Sequence, residues 1–305
     1  MYRNFSEIEK SVIAINGKRA RIALANAQDI FSLDAIVQAR QKGIIEAVLI
    51  GEKDKIVDLL LEFQESPADY VIIPEYEEKT AVEKAVHLVK NGDAEIPMKG
   101  LMQTATFMHA ILDKEKGLLS MGALLSEATV FFHPDDQRLL IVTDCAVNIT
   151  PGVEDKIKII RNAVKLANIF GVTKPKVAAI TAQEHINEKI PGSVDAALLS
   201  ASDFGYCDCM VAGPLALDNA VSLEAAQHKG IEGDVAGNAD ILLMPDLISG
   251  NVIHKTLHYF AHLPTAAALL GLKSPIIMTS RTDSKEDKYN SILIAVLQVL
   301  DRYCP

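Results

Sequence analysis

Short apolar runs of the kind that form buried strands alternate with amphipathic helical patterns along almost the whole chain. The first part of the chain has strands at residues 20–25, 47–50 and 70–73 and helices at residues 30–42, 53–64 and 77–90. Successive strand and helix units of this kind build parallel sheets that are covered by helices. The alternation therefore predicts an α/β fold.

A second series of such units follows the polar turn at residues 133–136, which is the first candidate for a domain boundary. This series has strands at residues 139–147, 176–180, 209–211 and 241–243 and helices at residues 154–170, 194–202, 217–228 and 252–262. The remaining patterns predict a helix at 101–112, a strand or hairpin at 122–132 and a short helix near 266–270. A chain of 305 residues with 49% hydrophobic content is long enough for two cores.

The segment from Pro275 to Lys288 joins a short apolar run to a polar turn and then to a helical pattern. A predicted strand at residues 276–279 ends at Ser280 and Arg281. Ser284 and Asp287 have the spacing of a capping box, so Asp287 can simply cap the following helix. Because reactive groups of open α/β sheets gather at the carboxyl ends of strands, this turn is also a candidate for chemistry.

Several separate motifs occur together with this segment. They are Val-Thr-Asp-Cys-Ala-Val-Asn at 142–148, Ala-Gly-Pro-Leu-Ala-Leu-Asp-Asn-Ala at 212–220, Gly-Asn-Ala-Asp-Ile-Leu at 237–242 and Thr-Ser-Arg-Thr-Asp-Ser at 279–284. With these motifs, nearly the whole chain resembles the phosphate acyltransferase family. Residues 213–221 and 245–251 look closer to phosphate butyryltransferases than to phosphate acetyltransferases.

The resemblance implies a two-lobe α/β/α architecture with parallel-rich sheets, similar to the isocitrate and isopropylmalate dehydrogenase fold. The active site is expected in the interdomain cleft. The family's C-terminal segment folds back onto the first domain, so that domain is expected to be discontinuous. We therefore predict a first domain of residues 1–133 and 270–305 and a second domain of residues 134–269.

The resemblance also implies the reaction. Butyryl-CoA, or another short or branched acyl-CoA, and phosphate are expected to give an acyl phosphate and coenzyme A in a ternary complex. In the reverse direction, Asp287 would accept the thiol proton, Arg281 would bind phosphate and Ser280 would hydrogen-bond the acyl carbonyl oxygen. No metal or redox cofactor is implied. A homo-oligomer and metabolic coupling to an acyl kinase, such as a butyrate kinase, are expected from the family.

Further polar residues lie near predicted strand ends and helix starts, where substrates bind in such folds. These candidate substrate-binding residues are Lys99, Gln103, Asp144, Asn148, Asn238 and Asn251. Each has a structural alternative. Lys99 and Gln103, one helical turn apart, fit a solvated helix start. Asp144 and Asn148 fit a cap of the helix that starts near Glu154, or the support of the Thr-Pro-Gly turn at 150–152.

Two other features suggest rival chemistry. His254, His258 and His262 would share one face of a helix, but Lys255, Thr256 and Leu257 separate the first two where zinc helices usually carry a carboxylate. These histidines are therefore expected to flank the core or face solvent. Cys145 lies late in a predicted strand, and no histidine is near in sequence to activate it, so a pocket wall is the expected role.

Composition limits the partners. The formal charge of −10 and the absence of a Lys/Arg block disfavour nucleic-acid binding. Four cysteines without paired CxxC spacing suggest a reduced, cytoplasmic protein. No apolar run approaches the roughly 18 residues of a membrane span, and the first residues lack the apolar core of a signal peptide.

One position departs from the family. An arginine is expected just after Gly117-Leu118, where this chain has Leu119-Ser120. If that arginine holds phosphate or a coenzyme A phosphate, this chain must use another cation or bind the ligand more weakly, and Lys116 and Lys99 are the nearest cations in sequence. Three other functions stay open: a phosphate acetyltransferase, a non-catalytic acyl-CoA-binding regulatory protein, and a metal-dependent dehydrogenase of related architecture.

Overall fold

The computed structural model describes residues 1–15, 19–134, 136–280 and 282–303, without the side chains of residues 302 and 303. The chain divides into two compact units. We call Phe5–Ala123 together with Thr265–Pro305 the terminal unit, and Met1–Asn4 together with Leu124–Pro264 the middle unit.

The terminal unit contains a parallel sheet flanked by helices. Its first part consists of α1 (Phe5–Ala14), β1 (Ala20–Ala25), α2 (Ile30–Gln41), β2 (Ile45–Gly51), α3 (Lys53–Glu62), a 3-10 turn (Pro67–Asp69), β3 (Val71–Pro74), α4 (Glu78–Asn91), β4 (Ile96–Lys99) and α5 (Thr104–Leu112). Four strands pair in the order β3-β2-β1-β4, all parallel. Leu24 of β1 lies opposite Leu49 and Met98, and all three are buried, which explains the nearly continuous apolar runs of these strands.

Strand β4 is absent from the sequence-based prediction. It has four residues and contains Pro97, which lacks an N–H group and disfavours a strand. The Pro97 carbonyl nevertheless accepts from the Ile277 N–H (3.1 Å), and the Lys99 N–H donates to the Ile277 carbonyl (2.9 Å). Residues 276–279, predicted as a strand, are therefore an extended segment beside β4 that forms only isolated bridges, at Ile276 and Ile277.

The predicted helix near residues 266–270 is wrong. This stretch is strand β10 (Thr265–Leu270), although its sequence, Thr-Ala-Ala-Ala-Leu-Leu, has a high helical propensity. Side chains of α11 (Lys285–Tyr303) satisfy part of its backbone, since the Ala267 N–H donates to Ser291 Oγ (3.0 Å). Tertiary hydrogen bonds of this kind outweigh a weak local preference.

The middle unit contains β5 (Ser126–His133), β6 (Arg138–Thr143), α6 (Val153–Ile169), β7 (Lys176–Ile180), α7 (Pro191–Ser200), β8 (Met210–Leu215), α8 (Leu217–Val221), α9 (Leu223–His228), β9 (Ile241–Leu243) and α10 (Leu247–Tyr259). Its strands pair in the order β5-β6-β9-β7-β8, with β5 antiparallel to β6 and the other pairs parallel. Phe131, Val142 and Leu242 belong to its buried core. The prediction of an α/β fold with parallel-rich sheets is confirmed.

Apart from residues 1–4, the boundaries between the compact units lie after Ala123 and after Pro264. The sequence suggested boundaries after residues 133 and 269. The turn after His133 connects β5 to β6, and these strands pair along their length from Ala128 opposite Thr143 to His133 opposite Arg138. This pairing keeps β5 in the middle unit. The division into a discontinuous first domain and a second domain stays a prediction.

Candidate active site

Within the terminal unit, the carboxyl ends of β1, β4 and the 276–279 segment lie at one edge of the sheet, because all three run in the same direction. The chain that leaves β4 is bonded to the end of β1: the Gly100 N–H donates to the Ala25 carbonyl (2.8 Å) and Asn26 Nδ2 to the Leu101 carbonyl (3.0 Å). A Cβ at Gly100 would lie 2.2 Å from the Asn26 carbonyl oxygen, so this approach requires glycine.

Ser280 lies at this edge and is exposed. Its N–H donates to Asp283 Oδ2 (2.7 Å), and its carbonyl accepts from Lys288 Nζ (2.9 Å) and from the Asp283 N–H (3.2 Å). Its hydroxyl lies 3.0 Å from Thr282 Oγ1. The backbone of Ser280 is therefore held on both sides while its hydroxyl stays at the surface. Arg281 lies outside the described residues.

Asp287 is buried at the start of α11, and both of its carboxylate oxygens accept hydrogen bonds. Oδ1 accepts from the N–H (3.0 Å) and the hydroxyl (2.8 Å) of Thr265, and Oδ2 accepts from the N–H (3.1 Å) and the hydroxyl (2.6 Å) of Ser284. The Asp287 N–H in turn donates to Ser284 Oγ (3.1 Å). The capping box suggested by the sequence is therefore present, and the carboxylate orientation is fixed.

Lys99 and Gln103 are arranged differently from the helical turn that the sequence suggested. Lys99 ends β4 and is buried, whereas Gln103 is the exposed residue that precedes α5. The Gln103 N–H approaches Glu78 Oε2 at 3.4 Å. The helix predicted at residues 101–112 therefore begins in the structure three residues later, at Thr104. Lys99 belongs to the same sheet edge as Ser280, since β4 runs beside Ile277.

In the middle unit, Asp144 organises the turn that follows β6. Its Oδ1 accepts from the N–H groups of Ala146 and Val147 (both 2.9 Å), and its Oδ2 accepts from the Glu127 N–H (3.2 Å) and from Asn148 Nδ2 (2.6 Å). Asp144 therefore has a structural role, but at the turn directly after β6 and not at the later helix start or turn that the sequence suggested. Its carboxylate stabilises a tight turn at the carboxyl end of a strand.

The start of α10 packs closely on this turn. A Cβ at Gly250 would lie 2.1 Å from the Asp144 carbonyl oxygen, and Asn251 Nδ2 is 3.4 Å from the Cys145 carbonyl oxygen. Asn148 Nδ2 also donates to the Leu125 carbonyl (2.9 Å). The structure thus brings Asp144, Asn148 and Asn251 together at the carboxyl edge of the middle sheet.

Asn238 lies at the opposite edge of that sheet. It precedes β9, whose parallel neighbours β6 and β7 begin at Arg138 and Lys176. An open cavity of about 640 Å³ is lined there by residues that include Arg138, Lys176, Asn238 and Asp240. Arg138 Nη1 donates to Asp240 Oδ1 (3.1 Å). In sequence, Asn238 groups with the strand-end residues because Gly-Asn pairs occur at either end of a strand.

Cys145 has the environment of a small buried hydrophobe. It is 2% exposed, and burial raises the pKa of its thiol well above the usual range, with Glu127 and Asp144 acting in the same direction. A thiol held protonated in this way is a poor nucleophile.

The histidine series does not stay on one helix. Helix α10 ends at Tyr259, and His262 follows it with φ of 52°, so the helix predicted to residue 262 is too long. His254 Nδ1 lies 2.9 Å from Thr129 Oγ1, and its ring stacks on that of His258 with centroids 6.5 Å apart. Among the residues that the structure describes, no group of three or more His, Cys, Asp or Glu side chains could hold a metal ion.

Comparisons with known proteins identify the family. The sequence profile described as phosphate acetyl/butaryl transferase matches residues 73–296. The chain belongs to this family. The phosphate butyryltransferase of Clostridium acetobutylicum is 45% identical over 299 residues, which cover 97% of this chain and 98% of that protein. The predicted membership of the phosphate acyltransferases is confirmed, and the likeness to a phosphate butyryltransferase that the sequence suggested agrees with this identity.

Solved structures agree with this assignment. The crystal structure of a branched-chain phosphotransacylase from Enterococcus faecalis V583 matches with a TM-score of 0.82 and 31% identity, covering 92% of this chain and 99% of that chain. A 4-hydroxythreonine-4-phosphate dehydrogenase from Klebsiella pneumoniae matches with a TM-score of 0.54 and 14% identity, covering 92% of this chain and 100% of that one. This second likeness concerns the fold alone, and it supports the predicted dehydrogenase-like architecture.

Two positions bear on the arginine that is expected from the phosphate acetyl/butaryl transferase family. Leu119, where an arginine was expected, is half-buried and forms an antiparallel bridge with Leu272. Lys116 is exposed, and its N–H donates to Asp113 Oδ1 (2.7 Å). Neither observation identifies a replacement for the arginine.

Sequence reasoning missed Lys288, whose Nζ reaches back to Thr279 Oγ1 and the Ser280 carbonyl (both 2.9 Å). A lysine directly after a capping residue looks like an ordinary solvated charge. Three of the four positions one helical turn from Lys288 are polar (Ser284, Lys285 and Ser291), so the sequence carries no signal of its burial.

Proposed function

We propose that this chain transfers a butyryl group, or another short or branched acyl group, between coenzyme A and phosphate. The observation that carries this proposal is the 45% identity to a phosphate butyryltransferase over 97% of the chain. The likeness to a branched-chain phosphotransacylase supports the inclusion of branched acyl groups. One methylene changes binding by only about 1–3 kcal/mol, so related enzymes of this kind can share substrates.

In the proposed reaction, a phosphate oxygen attacks the thioester carbonyl carbon, the carbon–sulfur bond breaks and coenzyme A leaves as a thiolate that takes up a proton. In the reverse direction, the thiol gives its proton to Asp287, the thiolate attacks the carbonyl carbon of the acyl phosphate, and phosphate leaves as the bond between that carbon and the phosphate oxygen breaks. Ser280, with an exposed hydroxyl, would donate to the carbonyl oxygen as it gains negative charge. Arg281 would bind the phosphate with two parallel hydrogen bonds.

The hydrogen bonds of Asp287 bear on its role as the base. Two of its donors are hydroxyl groups, those of Thr265 and Ser284, which can rotate. Rotation of either one would release a lone pair of Asp287 for the incoming proton. The backbone N–H donors of the same two residues would keep the carboxylate in place during the transfer.

Lys99 is the proposed second cation at this edge of the terminal unit, and Gln103 a further polar contact. In the middle unit, Asp144 and Asn148 would act indirectly by holding the turn after β6. Asn251 of α10 lies beside this turn and could contact a ligand there. Asn238 is left out because it lies at the other edge of its sheet.

The proposal includes no metal and no redox cofactor, because exchange of an acyl group between thiolate and phosphate needs neither an electron acceptor nor a Lewis acid. It also includes a homo-oligomer, a cytoplasmic location and coupling to an acyl kinase that consumes the acyl phosphate. No helix among the described residues is long and apolar enough to span a membrane.

Release of free thiol tests the proposal. Butyryl-CoA, isobutyryl-CoA and acetyl-CoA are each incubated with the protein, with and without inorganic phosphate. Phosphate-dependent release fastest with a four-carbon thioester is expected. Fastest release from acetyl-CoA would make the chain a phosphate acetyltransferase. Binding of coenzyme A without phosphate-dependent release from any thioester would refute the transferase and favour an acyl-CoA-binding regulatory protein.

A further inference from the structure

Lys288 places a buried amino group directly behind the candidate active-site turn. The residue is only 3% exposed, and its Nζ donates to Thr279 Oγ1 and to the Ser280 carbonyl, both at 2.9 Å. Lysine is almost never fully buried unless it is paired, because removing an ammonium group from water is costly. The position of this side chain therefore needs a reason beyond filling space.

The two sides of the Ser280 backbone are held by different side chains. Its carbonyl accepts from Lys288, and its N–H donates to Asp283 Oδ2 at 2.7 Å. With the backbone fixed at both groups, the direction of the Ser280 hydroxyl depends on a single side-chain rotation. An active-site donor must be fixed closely in this way to stabilise charge in a transition state.

The surroundings of Lys288 are acidic. Burial, the largest influence, lowers the pKa of Lys288, while the carboxylates of Asp29, Asp283 and Asp287 oppose that shift. Asp29 is the N-cap residue of α2, so it comes from a part of the chain remote in sequence from α11. Three converging carboxylates match a cation better than they match the apolar side chain that burial alone would favour.

We propose that Lys288 is a positioning residue of the acyl exchange, which fixes the Ser280 backbone so that the Ser280 hydroxyl meets the acyl carbonyl oxygen. This inference rests on the proposed function. Lys288 touches no reacting atom in this mechanism, and its effect reaches the reaction through Ser280.

Three variants isolate this role. Lys288→Met removes the cation and both hydrogen bonds at similar volume, whereas Lys288→Arg keeps a cation that can donate. The matched control is Lys156→Met in the middle unit, because Lys156 is also 3% exposed and pairs with Asp195 Oδ2 at 2.6 Å. Both methionine variants lose a buried lysine, but only one of these lysines holds Ser280.

Phosphate-dependent turnover is measured on the folded fraction of each variant. Lys288→Met is expected to lower kcat at least about tenfold with the KM for acyl-CoA within about threefold, since a displaced oxyanion donor weakens the transition state more than the ground state. Lys288→Arg should recover part of kcat, and Lys156→Met should keep the wild-type value. Wild-type kcat in folded Lys288→Met would overturn the proposal.

A double-mutant cycle with Ser280→Ala separates positioning from packing. If Lys288 acts through Ser280, the double variant Lys288→Met/Ser280→Ala should be no more than about twofold slower than Ser280→Ala alone. Independent effects, in which the two reductions in kcat multiply, would overturn the proposal. In the cycle of Lys156→Met with Ser280→Ala, the effects of the two substitutions on kcat should be independent and multiply.

Amide hydrogen exchange gives a readout that does not need turnover. Peptides that contain Ser280 and Asp283 should exchange faster in Lys288→Met than in Lys156→Met, because Ser280 loses a backbone partner. Unchanged exchange in both would overturn the positioning role. Absence of phosphate-dependent thiol release in the wild type would refute the proposed function instead, so the two failures are distinguishable.

Discussion

The substitution Asp287→Asn tests whether the residue that caps α11 is also the proton acceptor. An asparagine amide has one acceptor oxygen, so it can keep the donors of either Thr265 or Ser284 but not both pairs. Hydrogen bonds to charged groups contribute about 1.5–3 kcal/mol each, and losing two of them should lower the free energy of unfolding by about 3–6 kcal/mol. The amide NH₂ would also face a backbone N–H group.

Urea unfolding and turnover on the folded fraction must therefore be measured together. We expect the loss of stability, and in addition a decrease in turnover of at least about tenfold if Asp287 is the base. The matched control is Thr265→Val, which removes one hydroxyl donor and keeps the carboxylate. It should cost about 1–3 kcal/mol of stability but leave turnover within about threefold. Wild-type turnover in folded Asp287→Asn, or an equal loss in Thr265→Val, would refute the base assignment.

Three further predictions use other parts of the structure. Gly100→Ala should lower the free energy of unfolding in urea by about 1–3 kcal/mol through a clash with backbone, whereas Gly152→Ala, whose added Cβ meets nothing within 4 Å, should change it by less than about 1 kcal/mol. The hydrogen bond from Lys84, together with those from the Glu77 and Tyr76 N–H groups, lowers the pKa of Glu75 to about 2. This carboxylate therefore stabilises the fold above its ordinary pKa near 4.3 and stops doing so as the pH falls towards 2. Urea midpoints should decline over that range, and Lys84→Met should make the decline shallower; an unchanged slope would contradict the assignment. Cys145→Ala should retain turnover within about twofold, because its buried, protonated thiol is not a nucleophile, and a large loss in the folded variant would show otherwise.

Local features of the sequence predicted the parts of the fold that depend on local physics. The capping box of Ser284 and Asp287 is a short-range pattern, and the structure contains it. Strand β1 was predicted with the bounds that the structure has. Buried parallel strands are continuous apolar runs, so their signal does not depend on what lies beside them.

Non-local pairing produced the errors. Strand β4 forms despite Pro97 because Ile277, far along the chain, makes hydrogen bonds on both sides of Met98. Strand β10 reads as a helix from its alanines, but α11 side chains bond the Thr265 and Ala267 amides. Propensity is a weak preference that such contacts override.

The residues of the candidate site show the same difference between local and non-local signals. Ser280 and Asp287 stand seven residues apart in one segment, and a short motif is enough to find them. Lys288 belongs to that segment too, but its role follows from burial and from Asp29 near the start of the chain, which a motif does not record. Asn238 lies at the other edge of its sheet, because a Gly-Asn pair does not by itself indicate which end of a strand it borders.

The residues proposed to act in the reaction are concentrated in one short segment that leads into α11. Because only residues 280–284 separate α11 from the extended residues beside β4, Lys288 in the first turn of the helix can reach the carbonyl of Ser280, eight residues earlier. The cap that starts the helix also orients Asp287. Fold and site therefore depend on the same hydrogen bonds, so a substitution here changes stability and turnover together. Only variants that separate the two, such as Thr265→Val and the Lys288 cycle, can assign the chemistry.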